Sequence, residues 1–466
     1  MKRSISIISF FVVFVLLFCF CRPEREKKEY IDFRQIQQAK TLTVITLNSS
    51  SSYFIYKDEA MGYDYDLCKG FCDYYGLELK VKVAENQTRL IEMLQNEDGD
   101  LVAYPVSIEN ELKDSITYCG PTQISHQVLV QRFNRGDTLV TDVTDLIGRD
   151  VYVKHDTKYH QRLLNLDAEL GNGIVIKDVE RDTVNVEDLI EMVSLGKIKY
   201  TVSDDYIAKL NRTYFRNIDI SLPLSFDQRS SWVVRKTSPE LAEALNEWVK
   251  ANADAPKYKG IMKKYFELSK MPFDGDYVTP KNLPEGHISA FDDLFKKYAN
   301  DSNFDWYLLV AIAYQESRFH TDLSSWAGAV GLMGLMPRTA ESLGISREDR
   351  TDPELSIMAS VRLLNKLDKM FSKVADKEER LKFILASYNG GNGHISDARA
   401  LAEKYGDNPD VWDSVEKYVK LKSKPEYYND PVCRSGYFRG TETMRYVRQV
   451  IANRKEFEEN FPEKES

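Results

Sequence analysis

The hydrophobic pattern of this chain changes period once, late in the sequence, and that change limits what it can fold into. Before about residue 268, strand-like and helix-like stretches alternate; after about residue 286, the pattern is almost wholly helical. Between them stand Met271-Pro272-Phe273-Asp274-Gly275-Asp276 and Thr279-Pro280-Lys281-Asn282-Leu283-Pro284-Glu285-Gly286. Proline and glycine at this density interrupt both helix and strand, so 268–286 reads as an interdomain linker. A length of 466 residues allows two or three domains, so the expected plan is an α/β unit followed by an α-helical one.

The α/β unit opens with the strand Leu42-Thr43-Val44-Ile45-Thr46-Leu47. A helix follows Gly62 and ends near Gly76, and Leu77 to Val83 alternates as a second strand. Thr88 to Asn96 is helical, and Leu101-Val102-Ala103-Tyr104 makes a third strand. Strands separated by helices imply a parallel, doubly wound sheet, which binds ligands at the carboxyl ends of its strands.

Met1-Lys2-Arg3, a nearly unbroken apolar run from Ile5 to Phe20, and the abrupt polar change after Cys21 together read as an export signal. The run is short for a membrane span. A net charge of -9 argues against a nucleic-acid partner held by bulk electrostatics. Cys68 and Cys72 lie one helical turn apart and read as core thiols, because a zinc site needs more ligands nearby. No metal and no cofactor are expected.

In the helical part, Phe304 to Tyr314 carries one charge in eleven residues and leads into Gln315-Glu316-Ser317. Such a run is a mostly buried helix. A Glu at its end would be partly desolvated, which disfavours the ionised form. A carboxylic acid still protonated near neutral pH is what leaving-group protonation requires. Downstream, Gly328, Gly331 and Gly334 recur at every third position amid Leu and Met. They suit either a groove wall that offers backbone hydrogen bonds or close helix packing. A further apolar helix ends in Tyr388-Asn389 before a glycine-rich turn, where a Tyr hydroxyl can reach a buried carboxyl group. Glu442-Thr443-Met444-Arg445-Tyr446 places another Tyr on a C-terminal helix.

These motifs carry two resemblances. Residues 41 to about 268 resemble a family 3 extracellular solute-binding protein, through the first strand, Gly62-Tyr63-Asp64-Tyr65-Asp66-Leu67, Gly120-Pro121-Thr122, the helix from Val186, and Thr201-Val202-Ser203-Asp204-Asp205. The resemblance implies a two-lobed periplasmic-binding fold. Tyr53 falls where that family packs an aromatic on its ligand, and Asp204 where it often places an acid. The carboxylate-clamping Arg of its amino-acid binders is missing, and Lys113 is the nearest base. A lysine cannot reproduce a bidentate clamp, so an amino acid is not the expected ligand. The joining of a binding unit to the helical unit, and that alone, suggests a small cell-wall fragment or peptide.

Residues 287 to about 450 resemble the soluble-lytic-transglycosylase domain, a lysozyme-like α-helical fold, on Glu316-Ser317, Gly328-Ala329 with Gly331-Leu332-Met333, Ala386 with Tyr388-Asn389-Gly390, and Glu442-Thr443 with Tyr446. Many members carry Gln where this chain has Gly334. With the binding-protein unit in front, the whole chain resembles the membrane-bound lytic murein transglycosylase F family. That resemblance implies cleavage of the MurNAc-β-1,4-GlcNAc bond of peptidoglycan glycan strands, with formation of 1,6-anhydro-MurNAc. Glu316 would be the catalytic acid/base and Tyr388 its partner. Ser317, Ser325, Gly331, Met333, Asn389 and Tyr446 would bind or support the sugar, and Tyr53, Lys113 and Asp204 the regulatory ligand. A lysozyme-like hydrolase and a non-catalytic peptidoglycan receptor are the alternatives.

The N-terminus resembles a lipoprotein signal, with Cys21, or else Cys19, as the lipidated residue and an outer-membrane anchor facing the periplasm. The expected division is a signal over 1–21, a tether over 22–40, a regulatory domain over 41–267, the linker over 268–286 and a catalytic domain over 287–466.

Overall fold

A computed structural model describes residues 31–109, 112–179, 184–270 and 283–462. Its first half is two α/β lobes. In chain order the strands are β1 (Thr41–Leu47), β2 (Phe54–Tyr56), β3 (Glu59–Met61), β4 (Glu78–Ala84), β5 (Leu101–Ser107), β6 (Ile116–Ser125), β7 (Gln127–Arg132), β8 (Asp150–Lys154), β9 (Val175–Val179), β10 (Tyr200–Asp204), β11 (Ile218–Asp219) and β12 (Gln228–Arg235). Lobe 1 has the order β4-β1-β5-β12-β6 and lobe 2 the order β11-β7-β10-β8-β9. The chain enters lobe 2 between β6 and β7 and returns to lobe 1 as β12.

The parallel pairing expected of the first three strands is present, within sheets that are mixed overall. β1 runs parallel to β4 and β5, but the returning β12 is antiparallel to β5 and β6. A strand that comes back from another lobe is not bound by the handedness of a βαβ crossover, so it can enter in the opposite sense. The expected tether over 22–40 is corrected at its end. Phe33–Ala39 is a helix, because Asp32 and Gln35 form a reciprocal cap and Ile36 is buried. Asp32 also accepts from the backbone of Glu240 and Leu241, which fastens this helix to Pro239–Asn252. Lys270, within the expected linker, is buried; the centre of that linker and Cys21 lie outside the described residues.

The second half is helical, from Asp292–Ala299 to Thr441–Asn460. At its centre lies Trp306–Ser317, with every residue from Trp306 to Ala313 buried. A helix apolar on all sides is stable only when surrounded, and helices such as Pro353–Met370, Lys377–Gly390 and Thr441–Asn460 share its core. A smaller apolar cluster joins the halves: Phe54, Met61 and Tyr265 of the first pack with Ala329, Met336 and Tyr437 of the second. No described helix is long and apolar enough to cross a membrane.

Candidate active site

Glu316 is one residue from the end of the central helix. Asp305 caps the start of that helix by accepting from Leu308 N at 2.9 Å. The end is abrupt: Arg318 and Phe319 take φ of 51° and 65°, left-handed values that non-glycine residues seldom adopt. The Arg318 guanidinium lies 3.8 Å from the Tyr314 ring centre, a cation–π contact that helps hold the turn. Glu316 is thereby presented from rigid backbone, with its side chain 10% exposed.

The glycine segment is a loop and not a packed helix. Gly328, Gly331 and Gly334 all have positive φ, and the Arg350 guanidinium clasps the carbonyls of Gly328 and Leu335 at 2.8 and 3.0 Å. At Gly331 a Cβ would strike the Arg350 backbone carbonyl, so its backbone packs closely against Arg350, and it is not among the residues lining the cavity at Glu316. Gly334 is the one against the acid: its Cβ would overlap Glu316 Oε2. Gly334→Ala is expected to cost about 1–2 kcal/mol from the left-handed backbone alone. It should also shift the carboxylate. Thermal unfolding checks the first effect, and an unchanged midpoint would contradict it.

Several other expected residues prove to be supports. Ser317 is fully buried, and its hydroxyl donates to the Ala313 and Leu332 carbonyls, so it ties the helix to the loop and cannot touch sugar. The Met333 side chain is also in the core. Tyr388 is corrected as a direct partner of Glu316: its hydroxyl donates to Met333 O at 2.7 Å and lies 3.0 Å from Ser360 Oγ. Burial, followed by the Glu316 charge, pushes its phenol far up, so Tyr388 remains a donor that positions the loop beneath the acid. Asn389 accepts from Thr443 at 2.7 Å.

Tyr446 is the tyrosine that faces the acid. Burial and then the Glu316 charge raise its pKa well above the usual phenol range. Its hydroxyl and Glu316 Oε1 are both buried without a completed hydrogen bond. Both line a cavity of about 530 Å³, together with Ser325, Asn389 and Glu442. The sequence marked Glu442 only as part of a motif. Burial raises its carboxyl to about 7, against the pull of Arg439, Arg445 and Lys270.

The opposite wall of this cavity is the β2–β3 hairpin of lobe 1, which the sequence did not reveal as part of the site. Its turn residues Lys57 and Asp58 have φ of 48° and 61°, the type I′ conformation usually reserved for Asn-Gly or Asp-Gly. The strained tip is held by what it touches. Lys57 Nζ lies 3.4 Å from Glu316 Oε2 and 3.5 Å from Gly334 O. Asp58 accepts from the backbone of Asn392 and Gly393, both at 3.3 Å, at the positive end of the helix Asn392–Lys404. Glu59 accepts from Arg338 N at 3.0 Å.

His394 Nε2 lies 2.9 Å from Ile55 O, and its ring stacks on Phe438 at 4.2 Å. Burial, then Lys422, pushes the His394 pKa from 6.5 down to about 3. The folded state therefore favours neutral imidazole, whereas the unfolded chain takes up a proton below about 6.5. This group contributes stability above that pH and loses it as pH falls toward 3. Asp64 and Glu442 have raised pKa values and act in the opposite sense, so the comparison needs a variant. Relative to His394→Phe, wild type should lose thermal stability on acidification; parallel pH profiles would refute this.

The expected regulatory residues are scattered. Tyr53 packs edge-on against Tyr65 at 5.6 Å. Asp204 is buried and already engaged, with Lys158 at 2.6 Å and Tyr159 at 3.0 Å. Lys113 is exposed, and its carbonyl accepts from Lys236. None of the three lines the cavity of about 570 Å³ in the regulatory half, which is walled by Asp64, Tyr206, Lys209, Arg212, Arg216 and Trp232 among others. Trp232 donates to Asp64 at 2.8 Å there. Arg216 lines both this cavity and the one at Glu316.

Two family models match the chain: the transglycosylase SLT domain over residues 293–411, and bacterial extracellular solute-binding proteins, family 3, over residues 25–268. Proteins named membrane-bound lytic murein transglycosylase F are similar along most of its length. That of Desulfosudis oleivorans is 34% identical over 420 residues, covering 90% of each chain. That of Pseudomonas fluorescens is 30% identical, covering 89% of this chain and 84% of the relative. Among solved structures, substrate-binding domain 2 of GlnP from Lactococcus lactis aligns with a TM-score of 0.42 and 21% identity, over 49% of this chain and 96% of that one.

Proposed function

Because the chain belongs to the membrane-bound lytic murein transglycosylase F family, we propose that Glu316 is the sole acid/base of its glycan-cleaving site. The protein is a peptidoglycan lytic transglycosylase with a solute-binding domain in front. In this reading Glu316 protonates the glycosidic oxygen between N-acetylmuramic acid and N-acetylglucosamine. As carboxylate it then takes the proton of the muramic acid C6 hydroxyl as that oxygen closes on the anomeric carbon. The nucleophile is tethered to the electrophile, which lowers the entropic part of the barrier.

The observation that carries the assignment is the pair of buried, incompletely bonded polar atoms, Glu316 Oε1 and the Tyr446 hydroxyl, lining one cavity. Buried polar atoms normally have partners; the Tyr446 hydroxyl is near enough to Glu316 to be one, and sugar hydroxyls entering the cavity would supply the rest. Glu442 in the same cavity favours a second reading, a hydrolase that uses two carboxylates. Arg439, 3.6 Å from Glu442, favours the carboxylate form that such a reading requires. Digestion of purified sacculi followed by mass analysis separates the two, because the anhydro product is lighter by one water. Release of reducing-end muropeptides alone would reject the transglycosylase chemistry.

The docked hairpin supports regulation by ligand. Lys57 lies 3.4 Å from Glu316 Oε2 on the wall of the same cavity, so in this reading it competes with the glycosidic oxygen for the acid. Lobe 2 grips the catalytic half separately: Tyr437 donates to Glu187 at 3.0 Å, and Arg439 to Asn211 at 2.9 Å. Hinge closure moves one lobe against the other, so it cannot preserve both sets of contacts. A small cell-wall fragment or peptide between the lobes would thus be coupled to hairpin release. The cavity in the regulatory half carries Lys209, Arg212 and Arg216 against Asp64, Asp205 and Glu267, so its lining suits a fragment with both charged and polar groups. A lipid anchor at Cys21 in the outer membrane, facing the periplasm, completes the proposal. Fatty-acid labelling that persists in Cys21→Ser would exclude that residue.

A further inference from the structure

We propose that lobe 2 carries a divalent transition-metal site made by His155, His160 and Asp178. The three come from adjacent elements: His155 directly after β8, His160 in the first turn of the helix Lys158–Glu169, and Asp178 on β9. β8 and β9 pair in parallel with Val153 opposite Asp178 and Lys154 opposite Val179, which fixes the carboxylate beside the turn that bears both imidazoles. Thr157 caps the helix by accepting from His160 N at 3.3 Å, so the second imidazole sits on ordered backbone.

The distances suit a shared ion. His155 Nδ1 lies 3.4 Å from Asp178 Oδ2, and His160 Nε2 lies 3.2 Å from Asp178 Oδ1. Both fall at or beyond the long edge of ordinary hydrogen bonds. Donors held about 2.0–2.1 Å from a tetrahedral zinc are themselves about 3.3 Å apart. All three donor atoms lie within 4.8 Å of one another, and the two rings are 5.0 Å apart. The His155 side chain is 55% exposed and can rotate to close the remaining gap. Two imidazoles and one carboxylate select zinc-like ions over calcium or magnesium, which favour all-oxygen shells. Three protein ligands leave a fourth position open to water or to a donor atom of another molecule.

The site adjoins functional ground. The same helical turn carries Lys158 and Tyr159, which hold Asp204 at 2.6 and 3.0 Å. Metal binding would therefore stiffen the turn that fixes the acid at the end of β10. The expectation of no metal came from the lack of further ligands near Cys68 and Cys72 and from six His spread along the chain. His155, His160 and Asp178 form no local motif, and only the pairing of β8 with β9 brings them together.

The test is zinc binding by the full chain in competition with a chromogenic chelator, alongside His155→Ala and Asp178→Asn, with circular dichroism to confirm that each variant is folded. Because the His155 side chain is half exposed, its removal leaves the fold intact. Wild type should bind a single zinc, and each variant should bind at least about tenfold more weakly. Absence of binding by wild type, or equal binding by both variants, would overturn the proposal. Cobalt substitution adds a second readout: a thiolate-to-cobalt charge-transfer band would place the ion at the cysteines and also overturn it.

Discussion

Glu316→Gln should abolish release of anhydro-muropeptides from sacculi while leaving the protein folded. Gln is nearly isosteric and keeps a polar head in the cavity, so the packing of the central helix is unchanged. What it lacks is a transferable proton. General acid–base groups contribute about 10²–10⁴-fold each, and here one group serves both steps, so a loss of at least about 10³-fold is expected. A separate group could still supply a proton if Glu442, raised to about 7, took over; substantial residual activity in Glu316→Gln would then fall in Glu316→Gln/Glu442→Gln. Full activity in Glu316→Gln would remove the assignment altogether. A non-catalytic receptor predicts no cleavage in wild type, so the same assay disposes of that reading.

The second large effect runs in the opposite direction. Replacing the hairpin tip, Lys57→Ala with Asp58→Ala, should raise basal activity on sacculi. The tip loses its ammonium at Glu316 and its carboxylate at the start of the Asn392–Lys404 helix. These four contacts are long, 3.3–3.5 Å, so each contributes less than the about 1.5–3 kcal/mol of a short charged hydrogen bond, and removing the set shifts the docked-to-free equilibrium by roughly 2–4 kcal/mol. That corresponds to about 30-fold or more in the fraction of open sites, if docking is what limits access. Alanine at the left-handed positions adds no relief of backbone strain, so the gain is assignable to the lost contacts. Unchanged or lower basal activity, with the variant folded, would mean that the hairpin is part of the working groove and not its plug.

Much of the site was legible one motif at a time. The apolar run before Glu316 announced a buried helix, and the positive φ of Gly328, Gly331 and Gly334 matches what glycine spacing suggests. Roles within the motifs were less legible. Ser317 and Met333 are adjacent to groove residues in sequence but point into the core, because a helix and a tight loop turn successive side chains to different faces. Tyr388 and Tyr446 look alike in sequence, and only packing sends one hydroxyl to Met333 O and leaves the other facing Glu316.

By itself the sequence determined the two-domain plan, the helix that carries the acid, and the family, since each is written in local hydrophobic period, turn residues and short motifs. The tertiary structure decided what stands opposite the acid. Lys57 and Glu316 are 259 positions apart and meet only because a strained hairpin of one domain fits the groove of the other. No local pattern encodes such a meeting, because it depends on how two independently formed surfaces complement each other in shape and charge.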